Sequence, residues 1–301
     1  MPDKIIIKKT DGYTISAIKE IPDEPRGIVI AVHGFASCKE SATYQMLIRK
    51  FPKAGYGMIG IDLPGHGTEE SAQEPLRIEG CLNSIEAAER YAREQWPDVP
   101  VSYFGSSFGA YLTGLYISTR NHTGRKAFFR SGAVNMPELF TMKHSEPSTK
   151  CEGDAHVSCS CSGARGEAKT SLDKEKSIRL SASPSDEDYQ RIQRELDEKG
   201  YFITGEELGK PMKVTRDFCN DLEAANLFEL FDPKPAGEHR IAMAHGMEDN
   251  VIDPEAARRF AEKFGIPITF FPGEGHSLGN DPATPEKVAE LAIALYEGKN
   301  G

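Results

Sequence analysis

The sequence predicts an α/β fold: a mostly parallel central sheet with helices on both faces and one long insertion. Three observations carry that prediction. Short runs such as Gly27–Val32 and Met58–Asp62 are almost wholly apolar, as strands covered on both faces are. They alternate with stretches of helical apolar spacing. Between about Val134 and Pro235 the alternation breaks for far longer than a connecting loop in a compact domain would need.

Each element follows from its own residues. Ile5–Lys9 and Tyr13–Lys19 are β-prone runs around Asp11-Gly12, a pair suited to a tight hairpin turn. Gly27–Val32 is the first buried strand and ends in His33-Gly34-Phe35-Ala36. Ser41–Lys53 has helical spacing, closed by Gly55. Met58–Asp62 is the next buried strand, followed by the turn Leu63-Pro64-Gly65-His66-Gly67. Ser84–Gln95 is an amphipathic helix stopped near Pro97. An apolar strand then runs from Val101 into Gly105, a helix covers Phe108–Ser118, and Lys126–Arg130 is a further strand. The pattern resumes with a strand at His239–His245, a helix at Pro254–Phe264, a strand at Ile268–Phe271 and a last helix at Pro285–Tyr296.

The expected organisation is therefore a core made of 1–133 and 236–301, with 134–235 inserted as a cap. Within the insertion, Asp186–Lys199 reads as a helix ended by Gly200, Tyr201–Ile203 as a strand, and Thr215–Phe231 as helical. Residues 142–185 hold no aromatic side chain and few apolar ones, so they bury too little surface to offset their ordering entropy. They are expected to be disordered and dispensable for catalysis.

Composition excludes several classes. The chain has 301 residues and a net charge of −10, a poor match to nucleic acid or an anionic membrane. Ile5-Ile6-Ile7 is too short for the core of a signal peptide, and no apolar run approaches a membrane span. Six cysteines are too sparse for a disulfide framework in a chain of this length, which predicts a reduced, cytoplasmic protein. Cys151, His156, Cys159 and Cys161 lack paired zinc-ligand spacing, so no metal is expected.

The chemistry centres on Gly105-Ser106-Ser107-Phe108-Gly109, a Gly-x-Ser-x-Gly turn between a strand and a helix. Three fixed residues match by chance in roughly one such chain in ten, so the turn needs partners elsewhere. His276, in the Gly-rich loop after the last strand, is the candidate base, and a carboxylate must orient it. Asp249 is preferred to its neighbour Glu248 in the loop His245-Gly246-Met247-Glu248-Asp249, which leaves the same sheet edge. The order Ser107, Asp249, His276 is that of α/β-hydrolases. Backbone N–H groups of Phe108 and Phe35 are the candidate oxyanion donors, with His33 and His66 as structural supports.

These pieces together resemble the serine hydrolases of the α/β-hydrolase superfamily. They are most similar to small bacterial intracellular esterases of the cinnamoyl/feruloyl type, which pair a His-Gly-Phe loop with a cap inserted after the strand that follows the elbow helix. The elbow departs from the commoner Gly-His-Ser-x-Gly-Gly form, with Ser106 for His and Ala110 for the last Gly. The resemblance implies an α/β-hydrolase fold and hydrolysis of a small-molecule carboxylic ester through an acyl-enzyme, without a cofactor. A peptidase or amidase, a thioesterase, and a non-catalytic binding protein of the same fold are the alternatives. The insertion's aromatics (Phe140, Tyr189, Tyr201, Phe202, Phe218, Phe228 and Phe231) either line an acyl pocket or form the cap's own core. Phe202 and Phe228 are the expected tests of specificity.

Overall fold

The computed structural model describes residues 2–67, 70–140, 185–205, 210–232 and 240–298. An antiparallel hairpin opens it, β1 (Asp3–Lys8) on β2 (Thr14–Glu20), with Asp11 and Gly12 in the turn and Gly12 at φ +92°. Then follow β3 (Gly27–Val32), α1 (Ala42–Lys53), β4 (Tyr56–Ile61), α2 (Ile78–Gln95), β5 (Val101–Ser106), α3 (Phe108–Thr119) and β6 (Lys126–Arg130). After the insertion come β9 (Arg240–Gly246), α7 (Pro254–Phe264), β10 (Ile268–Phe271) and α8 (Thr284–Glu297). The eight strands stand in the order β1-β2-β4-β3-β5-β6-β9-β10. In this sheet only the pairs made by β2 are antiparallel; β4, β3, β5, β6, β9 and β10 run parallel.

Alternation within β3 explains the layers. Ile28, Ile30 and Val32 join a core with side chains of α2, α3 and α7. Val29 and Ala31 point the other way, into a core with Tyr44, Leu47 and Phe51 of α1 and Val288 and Ala292 of α8. The crossover from β3 to β4 uses α1 on one face, and that from β4 to β5 uses α2 on the other. Right-handed crossovers in opposite directions require opposite faces. The chain thus reverses between β3 and β5, and a crevice opens beyond their C-terminal ends.

Between β6 and β9 lie α4 (Asp186–Lys199), β7 (Tyr201–Thr204), β8 (Met212–Thr215), α5 (Arg216–Ala224) and the short α6 (Leu227–Leu230). β7 and β8 form a separate antiparallel pair. Ser185 caps α4 in a reciprocal box with Asp188, and Gly200 ends it at φ +77°. So Ser185, grouped by composition with the low-complexity stretch, is the helix cap. The rest of that stretch and its cysteines lie outside the described residues.

Three departures from the expected elements have local causes. α2 begins at Ile78, six residues early, because Ile78, Cys81 and Leu82 extend its buried face. The helical run at Thr215–Phe231 breaks at Ala225, where Asn226 starts a new turn by accepting the Phe228 N–H. β8 alternates in burial over only four residues, too short for periodicity to reveal. Among the described residues, no helix is long and apolar enough to cross a membrane.

Candidate active site

All five residues singled out from sequence meet at the C-terminal edge of the parallel strands. Ser107 follows β5 directly at φ 54°, ψ −118°, a conformation that only a tightly held turn maintains. The close approach of α3 to β3 and to the end of β5 forces the glycines. A Cβ on Gly109 would lie 1.9 Å from the Val32 carbonyl oxygen, and one on Gly105 2.5 Å from the Ala110 Cα. Ser107 is held through its backbone as well: its N–H donates to the Arg130 carbonyl at 2.9 Å, and its carbonyl accepts from Ala133 at 3.2 Å.

His276 arrives on the loop after β10. Its Nε2 stands 2.9 Å from Ser107 Oγ, and its Nδ1 is 2.8 Å from Asp249 Oδ2. Asp249 hangs from the loop after β9 and is buried. Its Oδ1 accepts the N–H groups of Val251 and Ile252, each at 2.9 Å. Burial alone would raise its pKa. The His276 charge, then the N–H groups of His245 and His276, outweigh burial and hold it well below the ordinary carboxylate range. Glu248 is exposed, so Asp249 is the carboxylate that reaches the imidazole.

His245 is a partner that sequence reasoning passed over. It is fully buried, with Nε2 3.1 Å from Asp249 Oδ2 and 3.3 Å from the Ile252 carbonyl oxygen, while its Nδ1 has no hydrogen-bond partner among the described residues. The available signal was its place at the end of a buried strand, four residues before Asp249. Glu274 was likewise unforeseen. Both of its carboxylate oxygens accept backbone N–H groups, from Asn280 and Asp281, and staple the loop carrying His276.

The loop after β3 lies against Ser107. A Cβ on Gly34 would stand 3.2 Å from Ser107 Cβ. The N–H groups of Phe35 and Phe108 have no hydrogen-bond partner among the described residues. Phe108 also opens the twelve-residue α3, whose dipole favours negative charge there.

Two buried imidazoles set the shape of this loop. His33 Nε2 accepts the Leu63 N–H at 3.1 Å, and its Nδ1–H donates to the Gly34 carbonyl at 2.7 Å. His66 Nε2 accepts the Ala36 N–H at 3.1 Å, and its Nδ1–H donates to the Pro64 carbonyl at 2.8 Å. This pattern needs both rings neutral. Burial pushes their pKa values down to about 4 for His33 and about 3 for His66, each ring's neighbouring cations or imidazole adding to the effect. Asp62 completes the support, accepting the Lys39 N–H at 2.8 Å and the Lys39 ammonium at 2.6 Å.

The insertion closes over this loop. A Cβ on Gly205, just after β7, would be 2.9 Å from Ala36 Cβ, and Lys210 Nζ donates to the Gly67 carbonyl. Phe35 packs edge-on against Phe108, and Phe140 bridges Phe35 to Phe202 and Phe218. Phe140, Phe202 and Phe218 are essentially inaccessible, and Phe228 packs on Phe260 of α7. These aromatics join the insertion to the sheet and form its core. Among the described residues, no group of three or more His, Cys, Asp or Glu side chains is placed to hold a metal.

A family model described as serine aminopeptidase, S33, matches residues 23–176, a little over half of the chain. No curated protein matches. Among solved structures, the chain is similar to Est1E from Butyrivibrio proteoclasticus with ferulic acid bound, at 17% identity over 97% of this chain and 99% of that one, TM-score 0.64. The esterase domain of a Rhodothermus marinus protein is 13% identical over 99% and 98% of the two chains, TM-score 0.63. Mouse alpha/beta hydrolase domain-containing protein 10 is 13% identical over 98% and 97%, TM-score 0.61. At these identities the likeness is one of fold.

Proposed function

Since the chain belongs to the serine aminopeptidase S33 family of α/β serine hydrolases, we propose that it cleaves carboxylic esters of small molecules through an acyl-enzyme on Ser107. The observation that carries this reading is the continuous path Ser107 Oγ, His276, Asp249, at 2.9 and 2.8 Å. His276 Nε2 takes the Ser107 proton as Oγ attacks the ester carbonyl carbon. Asp249, kept ionised, holds the Nδ1–H tautomer and stabilises the imidazolium. The N–H groups of Phe35 and Phe108 receive the tetrahedral oxyanion, and removing one such donor costs about 10²–10³ in rate. The bond to the alcohol oxygen then breaks, and that oxygen takes the proton from Nε2. Water, deprotonated by His276, repeats the attack on the acyl carbon, releasing the acid and restoring Ser107.

Amide cleavage at a peptide N-terminus is the second reading, favoured by the family's description. It needs a carboxylate to receive the substrate ammonium. Among the described residues, Asp249, Asp62 and Glu274, the carboxylates buried beside the triad and the Phe35 loop, are taken up by His276, by Lys39 and by the N–H groups of Asn280 and Asp281. The ester reading also draws support from two structural relatives, an esterase domain and a protein with ferulic acid bound. The insertion touches the proposed oxyanion loop through Gly205, so it is the segment proposed to set acyl preference. The test is a panel of p-nitrophenyl and hydroxycinnamate esters beside aminoacyl and prolyl anilides. Ester turnover that vanishes in Ser107→Ala supports the proposal. Preferential cleavage of the anilides would replace it with the peptidase reading.

A further inference from the structure

β6 ends in a charge that its neighbours do not predict. It reads Lys-Ala-Phe-Phe-Arg, and Arg130 is buried at the edge where the elbow, the His276 loop and the acid loop converge. Its guanidinium donates from Nη1 to Ser106 Oγ at 2.8 Å and from Nη2 to the Ser277 carbonyl. Ser131, at φ 45°, donates from Oγ to the His276 carbonyl at 2.9 Å and from its N–H to the Ala244 carbonyl at 2.8 Å. The Arg130 carbonyl accepts the Ser107 N–H. Two consecutive residues therefore grip the elbow, the carbonyls of His276 and Ser277, and the strand end that leads to Asp249.

Burying a guanidinium is costly unless its hydrogen bonds are made, and packing between Phe129 and Gly132 does not ask for one. What the planar fork offers is two fixed, diverging donors, which a lysine ammonium cannot reproduce. Here the two donors reach opposite partners of the proposed proton transfer: Ser106 adjoins Ser107, and Ser277 adjoins His276.

We propose that Arg130 is a positioning residue for the triad: by bonding Ser106 Oγ and the Ser277 carbonyl at once, it sets the separation between Ser107 and His276. This rests on the reading that Ser107 is the nucleophile and His276 its base. The backbone that carries His276 cannot move away from Ser107 without breaking a charge-assisted hydrogen bond at the Ser277 carbonyl as well as the Ser131 bond to the His276 carbonyl. A misplacement of about 1 Å at such a site costs about 10²-fold in rate.

The experiment compares the parent with Ser107→Ala, Arg130→Met, Arg130→Lys, Ser106→Ala and the Ser106→Ala/Arg130→Met double variant. It records kcat, KM, the rate of labelling by a fluorophosphonate, and Tm. The expected Arg130→Met protein melts cooperatively, keeps KM within about twofold, and loses about 10–100-fold in both kcat and labelling rate. Arg130→Lys recovers part of the loss. Ser106→Ala lowers kcat several-fold, and the double variant is no slower than Arg130→Met alone, because both remove one tether. A cooperatively folded Arg130→Met with kcat within threefold of the parent would overturn the proposal, as would losses that multiply in the double variant. If Arg130→Met fails to fold, Ser106→Ala and Arg130→Lys decide: unchanged kcat in both refutes the tether, while lowered kcat at constant KM supports it. Turnover that survives Ser107→Ala would instead refute the triad reading, whatever Arg130 does.

Discussion

Acid should destabilise this protein through the two imidazoles that flank the Phe35 loop. An imidazole in the unfolded chain titrates near 6.5, whereas His33 and His66 in the folded chain are held down to about 4 and about 3 by burial. The folded state refuses protons that the unfolded state accepts. Stability is therefore complete above pH 6.5 and is lost as pH falls, down to about 4 for His33 and about 3 for His66. At pH 4.5, two units below the unfolded value, each ring accounts for about 2.7 kcal/mol at 1.36 kcal/mol per unit, and the pair for about 5.4. Glu74, whose burial raises its pKa, takes up its proton earlier in the folded chain and offsets a small part. The depressed carboxyls of Asp11 and Asp249 add to the loss only from about pH 5 downward, as pH falls toward and through carboxylate values. Urea unfolding at intervals from pH 7.5 to 4.5 measures the effect. Near pH 5 the unfolding free energy should fall by about 2.5 kcal/mol per pH unit, corresponding to two protons. A slope below one proton would refute the claim that both rings are held neutral, and with it the hydrogen-bonding account of the loop.

Three further outcomes follow from contacts at the site. Gly109→Ala places a Cβ 1.9 Å from the Val32 carbonyl and should cost at least about 3 kcal/mol. Gly12→Ala, with nothing within 4 Å but a φ of +92°, should cost only about 1 kcal/mol; denaturant midpoints separate the two. Phe202→Ala should cost about 3–5 kcal/mol and lower kcat/KM evenly across an acyl series, because its ring is buried among Phe140 and its neighbours; a changed acyl ranking at unchanged Tm would contradict this. Asp249→Asn should lower kcat by about 10⁴, as loss of an orienting carboxylate does, whereas Glu248→Gln, exposed and away from the imidazole, should leave kcat within about twofold.

What was legible in the sequence followed from short-range physics. β3 and β4 showed as unbroken apolar runs because both faces are covered, and Ser107 showed because a strand-to-helix turn this tight demands glycine on either side. The five site residues were findable because each sits just beyond a strand that periodicity places on one edge. The supports were not. Arg130 reads as the polar end of a strand until its bonds to Ser106 and Ser277 are seen, 24 and 147 residues away in the chain. His245 reads as the last residue of a buried strand, and its contact with Asp249 depends on how the loop after β9 folds back. The sequence leaves Phe202 and Phe228 open between pocket and cap core, because an aromatic has the same pattern signature in a core as in a cleft. Their burial against Phe140 and Phe260 is a property of the packed chain.

Intact-protein mass spectrometry after treatment with a fluorophosphonate decides whether Ser107 carries the reaction. One phosphonyl group per chain is expected, mapped by peptide sequencing to Ser107, with ester turnover lost in proportion to labelling and with Ser107→Ala and His276→Ala left unlabelled. Label on another residue, or ester turnover persisting in fully labelled protein, would contradict it.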